Sequence, residues 1–159
     1  GKPVSHVRDA RNSLTQRIFT YYADAIPTVG VTQIEVGNMQ DGDIAGLALF
    51  QDPYAYIGIK QIQGTRYMVM VNNGMEIASA ALRSNTVYLQ ASAGYDTGKA
   101  TFSYSTDNKK FITLGNELDM KLNLSVFTGN KFCLFNYATK SPGGYVDFDW
   151  FRMSPAKGM

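Results

Sequence analysis

Residues 87–95 read VYLQASAGY, and their alternation decides the fold. Val87, Leu89, Ala91 and Ala93 fall on one side of an extended chain, while Tyr88, Gln90 and Ser92 fall on the other. Successive side chains of a strand point to opposite faces, so this segment buries one face and turns the other outward. Residues 54–60, YAYIGIK, repeat the pattern, with Tyr54, Tyr56 and Lys60 opposite Ala55, Ile57 and Ile59. No segment of helical length carries a 3.6-residue period. Strands are therefore expected at Ser13–Tyr22, Val29–Val36, Ala45–Gln51, Ala55–Gln61, Arg66–Asn72, Glu76–Ala81, Thr86–Gly94, Lys99–Ser105, Phe111–Leu114, Phe132–Tyr137 and Tyr145–Met153. Between them lie QDGD, QDP, QGT, NNG, DTG and TDNKK, which supply residues that preset a turn or tolerate positive φ. One short helix is expected at Asn123–Phe127, behind an asparagine cap.

Many short strands joined by tight turns predict an all-β fold, a two-sheet antiparallel β-sandwich. The chain has 159 residues with 15 Gly, 10 Tyr and 9 Phe, and 18% of it is charged. That length suits one domain, here residues 10–155, with an N-terminal extension at 1–9 and a C-terminal tail at 156–159. A net charge of +2 with scattered Lys and Arg gives no basic stripe for a nucleic-acid backbone. No apolar run is long enough to span a membrane as a helix. A single Cys leaves the redox compartment open, and an extracellular or periplasmic setting is favoured over a cytoplasmic one.

Catalytic constellations are scarce. The only His, His6, precedes the first strand, so no rigidly held base stands beside a Ser or Cys. Cys133 lies mid-strand between Phe132 and Leu134 and reads as a small buried hydrophobe. Zinc-type spacings and phosphate-binding glycine loops are missing. Asp147 and Asp149 stand i, i+2, about 6.5 Å apart along a strand, close to the about 5–5.5 Å of a retaining glycosidase pair. However, Glu35, Glu76 and Glu117 are isolated, and no Glu-x-Asp-x-x-Glu run supplies a third acid. Trp150 alternates with Val146 and Phe148, which places it on the inner face.

Four runs together resemble a known module: SLTQRIF (13–19), MQDGDIAGLALFQDPYAYIGIK (39–60), ATFSYSTDNKKF (100–111) and FTGNKFCLFNYATKSPGGYVDFDWFRM (127–153). In that order they are similar to the C-terminal concanavalin A-like β-sandwich of glycoside hydrolase family 43, the β-xylosidases and arabinofuranosidases. The resemblance extends from about Ala10 to Met153. It implies a jelly-roll that accompanies a catalytic β-propeller, with the catalytic carboxylates on the propeller and none on this chain. It implies binding to xylan or arabinoxylan, or closure of the propeller's pocket. In some members a Phe of the sandwich enters the active site, and the Phe-x-Gly of VFTGNKF assigns that position to Phe127. The chain starts downstream of the family's opening run, so a leading strand is expected to be absent, or replaced by residues 1–9 or by another chain. Asn108 stands where the family carries Gly after Asp, and its tolerance of the left-handed region should preserve the hairpin.

Sugar binding calls for aromatic rings that meet the C–H face of a pyranose, with polar groups beside them for its hydroxyls. The candidates are Phe127, Tyr54, Tyr56, Tyr67, Tyr88 and Tyr104, flanked by Lys60, Arg66, Asn72 and Gln90. The chain is expected to be an accessory, carbohydrate-binding module of a glycoside hydrolase, without catalysis of its own. The alternative is a structural domain that walls a propeller's active site through Phe127, and a free-standing sandwich glycosidase comes third. No cofactor is required, although Ca²⁺ held by NMQDGD or by Asp149 with backbone carbonyls would suit a sandwich of this kind.

Overall fold

The computed structural model describes residues 13–17, 28–50, 54–94, 98–119, 131–140 and 143–155. Phe127 and the helix expected at Asn123–Phe127 lie outside the described residues. All described regular structure is β. One six-stranded sheet runs in the order β1 (Ser13–Arg17), β11 (Lys131–Ala138), β3 (Asp43–Phe50), β4 (Ala55–Ile62), β5 (Thr65–Asn72) and β6 (Met75–Leu82). The other runs β10 (Leu118–Asp119), β8 (Lys99–Ser105), β7 (Thr86–Gly94), β2 (Thr28–Glu35) and β12 (Asp147–Pro155), with β9 (Ile112–Thr113) also on β8. Every pairing is antiparallel. The expected jelly-roll sandwich is therefore what forms.

Turn chemistry behaves as the sequence indicates. Gln63-Gly64 and Asn73-Gly74 close two-residue hairpins with positive φ at both positions, 50° and 76°, then 53° and 80°. Such turns match the right-handed twist of the flanking strands. Asn108 takes φ 58° in the turn after β8, so it serves where the family carries Gly. Ser13–Arg17 pairs along β11 and is the outermost described strand of its sheet, and residues 1–9, a candidate for the leading strand, lie outside the described residues. Strand β9 is only two residues rather than Phe111–Leu114, and β10 has no counterpart among the strands expected from the sequence.

The alternating residues of both sheets meet in one core. Leu47, Leu49, Ile57, Ile59, Met68, Met70 and Phe132 from the first sheet pack against Ile34, Val87, Leu89 and Phe102 from the second. The first sheet also buries much of its outer face. Ala48, Tyr54, Tyr56, Val69, Val71, Cys133, Phe135 and Tyr137 form a second cluster there, joined by Ile44 and Tyr67. The register explains how large rings fit. Phe135, Gly46, Gly58 and Val69 lie in one row across β11, β3, β4 and β5. Two glycines in that row leave space beside Phe135, whose ring meets Tyr56 edge-on at 4.9 Å.

Trp150 departs from the expected inner position. In the β12–β2 ladder Phe148 faces Ile34, but Trp150 faces Gln33, so the register slips by one at Asp149. Such a bulge reverses the facing of every later residue. Val146, Phe148, Phe151 and Met153 consequently pack on the core, and Trp150 turns outward. Simple alternation cannot reveal that slip.

Gly46 faces Gly58 across β3–β4 so closely that a Cβ there would meet the Ile57 carbonyl oxygen and lie 2.6 Å from the Gly58 Cα. Gly46→Ala is expected to destabilise the domain by about 2–3 kcal/mol, because backbone must shift rather than a side-chain tip. A urea denaturation curve reads this directly, and an unchanged midpoint would contradict the close approach.

Candidate functional site

The bulge at Asp149 assembles a mixed aromatic and polar group on the outer face of the second sheet. Trp150, Gln33 and Tyr88 lie in one cross-strand row on β12, β2 and β7. The indole Nε1–H of Trp150 donates to Gln33 Oε1 at 2.7 Å. Its ring centroid lies 6.1 Å from that of Tyr88, tilted by 43°. Arg152, two residues on, holds its guanidinium carbon 4.6 Å from the same ring centroid, a cation–π distance. Thr32 Oγ1 donates to the Trp150 carbonyl at 2.7 Å and anchors the bulged backbone from beneath. Trp150, Tyr88 and Gln33 are half-buried and Arg152 is exposed. Val31, Gln90 and Ser103 form the adjoining row. An indole held in place beside amide and guanidinium groups can stack on the apolar face of a ring-shaped ligand and hydrogen-bond its periphery.

The other sequence candidates are dispersed. Tyr54 and Tyr56 are 7% and 5% exposed and belong to the covered cluster on the opposite sheet, so neither offers a ring face to solvent. Alternation places them on the outer face correctly; burial of that face is what removes them as a platform. Tyr67 packs against the same cluster, half-buried. Tyr104 pairs with Leu89 and leans on the main core, at the lip of a cleft between the two sheets. Only Tyr88 joins the outward group, and the residue that completes it, Trp150, is one that simple alternation places inward. The polar flanks are largely committed as well. Lys60 pairs with Glu76 at 2.5 Å, and Arg66 donates to Asn85 Oδ1 at 2.5 Å.

At one end of the sandwich the two aspartates of NMQDGD hold loops together. Asp41 Oδ1 accepts from Gly64 N at 2.9 Å and Gln61 Nε2 at 3.2 Å, and these donors depress its pKa. Asp43, buried at 2% exposure, accepts from Gln40 N at 2.8 Å. Among the described residues no three His, Cys, Asp or Glu converge as metal ligands. Asp147 and Asp149 are exposed on either side of Phe148. Cys133 is buried and donates weakly to the Leu134 carbonyl, in line with a small core residue.

Within the covered cluster burial pushes the Tyr56 phenol well above its ordinary range, and the neighbouring Tyr137 phenol raises it further. The Tyr137 phenol is raised too, by burial first. A raised folded-state pKa contributes stability that is whole below the unfolded value of about 10 and is lost as pH climbs past it. Unfolding free energy should therefore fall steeply above about pH 10. Tyr56→Phe, which removes the titrating hydroxyl, should flatten that fall. Chemical denaturation across pH tests both, and an unaltered alkaline slope in the variant would contradict the assignment.

Comparison with known proteins agrees with this architecture. The family described as the beta xylosidase C-terminal concanavalin A-like domain matches residues 2–154. A beta-xylosidase of Formosa agariphila is 26% identical over 145 residues, which is 89% of this chain and 23% of that protein. A bifunctional GH43-CE protein of Bacteroides eggerthii superposes with a TM-score of 0.89 at 35% identity, over 99% of this chain and 20% of its own. A GH43 glycoside hydrolase engineered for endo-xylanase and exo-arabinofuranosidase activity superposes with a TM-score of 0.88 at 29% identity, over 98% of this chain and 33% of its own. This chain thus corresponds to between a fifth and a third of those larger proteins. It belongs to the family of β-xylosidase C-terminal concanavalin A-like domains, the accessory, non-catalytic sandwiches of glycoside hydrolase family 43 enzymes.

Proposed function

We propose that this sandwich binds xylan or arabinoxylan chains for a glycoside hydrolase whose catalytic β-propeller lies elsewhere in the parent enzyme. The observation that carries this reading is the Trp150–Tyr88 pair on the outer face of β12, β2 and β7, with Gln33 and Arg152 beside it. The opposite sheet buries Tyr54, Tyr56, Phe135 and Tyr137 and leaves only Tyr67 half-buried among its described aromatics, so this face is where a described Trp–Tyr pair remains open to a sugar. Xylose units are uncharged and carry no exocyclic hydroxymethyl group. Flat stacking on an indole, with hydroxyls meeting the Gln33 amide and an Arg152 that swings off the ring, suits their shape. Family membership and the xylosidase relatives support the choice of polysaccharide. Ca²⁺ at Asp149, with backbone carbonyls completing its shell, stays a secondary proposal, tested by melting with and without chelator.

A second reading has its own support. Met75 and Ile77 on the edge strand β6 are 68% and 42% exposed. Such an apolar edge fits a domain that packs on the catalytic unit, with Phe127 as its pocket wall. Calorimetric titration separates the two. Xylohexaose should release heat with the wild-type domain, and Trp150→Ala should weaken binding by roughly tenfold or more, about 1–3 kcal/mol for a lost stacking contact. Its melting temperature should stay near wild type, because Trp150 lies on the outer face. No heat at millimolar ligand would leave only the structural role.

A further inference from the structure

The described residues form a second candidate site on the side of the sandwich. A cleft of about 660 Å³ opens where β6 leaves the first sheet and the β8–β9 hairpin overhangs from the second. Ala81 and Leu82 supply apolar surface on one wall, and Tyr104 and Ile112 supply it on the other. Arg83 and Lys110 bring their cations to the same cleft, and both are exposed. Neither joins an ion pair among the described residues, whereas Lys60 and Lys99 each hold a carboxylate, Glu76 and Asp119.

The one acid in the lining does not neutralise them through contact. Asp107 Oδ1 accepts from Lys109 N at 2.8 Å, Lys110 N at 3.0 Å and Ser105 Oγ at 2.8 Å, so that oxygen is spent on shaping the hairpin. Those amides hold its pKa down to about 2. Ser84 Oγ is likewise engaged with the Thr86 carbonyl at 2.7 Å. What remains available is an aromatic ring, an isoleucine side chain and two unpaired cations around one opening.

We infer that this cleft binds a saccharide bearing a carboxylate, a uronic acid. The sugar ring lies against Tyr104 and Ile112, and its carboxylate meets Arg83 and Lys110. A planar guanidinium takes a carboxylate through two parallel N–H donors, and an ammonium adds a third. A neutral pentose offers those cations nothing, so this site and the Trp150 face select different parts of a branched polysaccharide. The choice of a saccharide rests on the proposed function, and the selection of a carboxylate goes beyond it.

Amide NMR titration of the domain with D-glucuronate and D-glucose isolates the charge, since the two differ only in a carboxylate for a hydroxymethyl group. Glucuronate should shift the amides of Arg83, Ser84, Thr106 and Lys110, and bind roughly fivefold tighter than glucose at low salt. That advantage should shrink as ionic strength rises. The double variant Arg83→Gln, Lys110→Gln should lose the preference while keeping its melting temperature and its xylohexaose response. Equal shifts from both sugars, or shifts that avoid the cleft, would overturn the inference. So would inorganic phosphate producing the same shifts with the same affinity, because the ring would then contribute nothing. Absence of xylohexaose binding to the wild-type domain, with glucuronate binding intact, would sink the proposed function and leave this site standing.

Discussion

Burial of both faces of one sheet governs what this molecule can do. The inner face of the β1–β11–β3–β4–β5–β6 sheet makes the common core, and its outer face carries a second apolar cluster around Tyr56, Phe135 and Tyr137. A sheet covered on two sides offers little open aromatic surface over these strands, with Tyr67 alone half-buried among its described aromatics. The other sheet buries only its inner alternation, Ile34, Val87, Leu89, Ala91 and Phe102, and turns Gln33, Tyr88 and Gln90 outward. The proposed sugar-binding face therefore lies on β12, β2, β7 and β8.

Within that open face a single extra residue decides the chemistry. Without the slip at Asp149, Trp150 would enter the core, where its N–H would need a buried acceptor. The bulge sends the indole outward instead, to the Gln33 amide and the Arg152 guanidinium, while Phe151 takes the inner position against Phe132 at 6.2 Å. Bulges concentrate where a strand must re-aim a side chain, and this one sets the domain's only Trp among polar donors.

Much of this was legible in residue order. Alternation in residues 87–95 gives the two faces of β7, QGT and NNG give the hairpins at Gln63-Gly64 and Asn73-Gly74, and four ordered motifs give the family. Two features were not. Tyr54 and Tyr56 point outward as their pattern states, yet pattern does not say whether an outer face is wet or covered, and here both rings are buried in a cluster spanning β3, β4, β5 and β11. The facing of Trp150 depends on register against β2, and a one-residue slip leaves no mark in the composition of VDFDWFRM. The cleft beside Arg83 and Lys110 joins residues from β6 to β9, whose meeting is a property of topology rather than of any local motif.

The account places an accessory domain's sugar recognition on one open sheet, centred on one indole. Because the chain holds a single Trp, its intrinsic fluorescence is the fluorescence of Trp150. Titration of the folded domain with xylohexaose, excited at the indole band, is the most direct measurement. A saturable change in intensity or emission maximum is the predicted result. An emission spectrum that stays unchanged through millimolar xylohexaose, with the domain folded, would contradict the central claim.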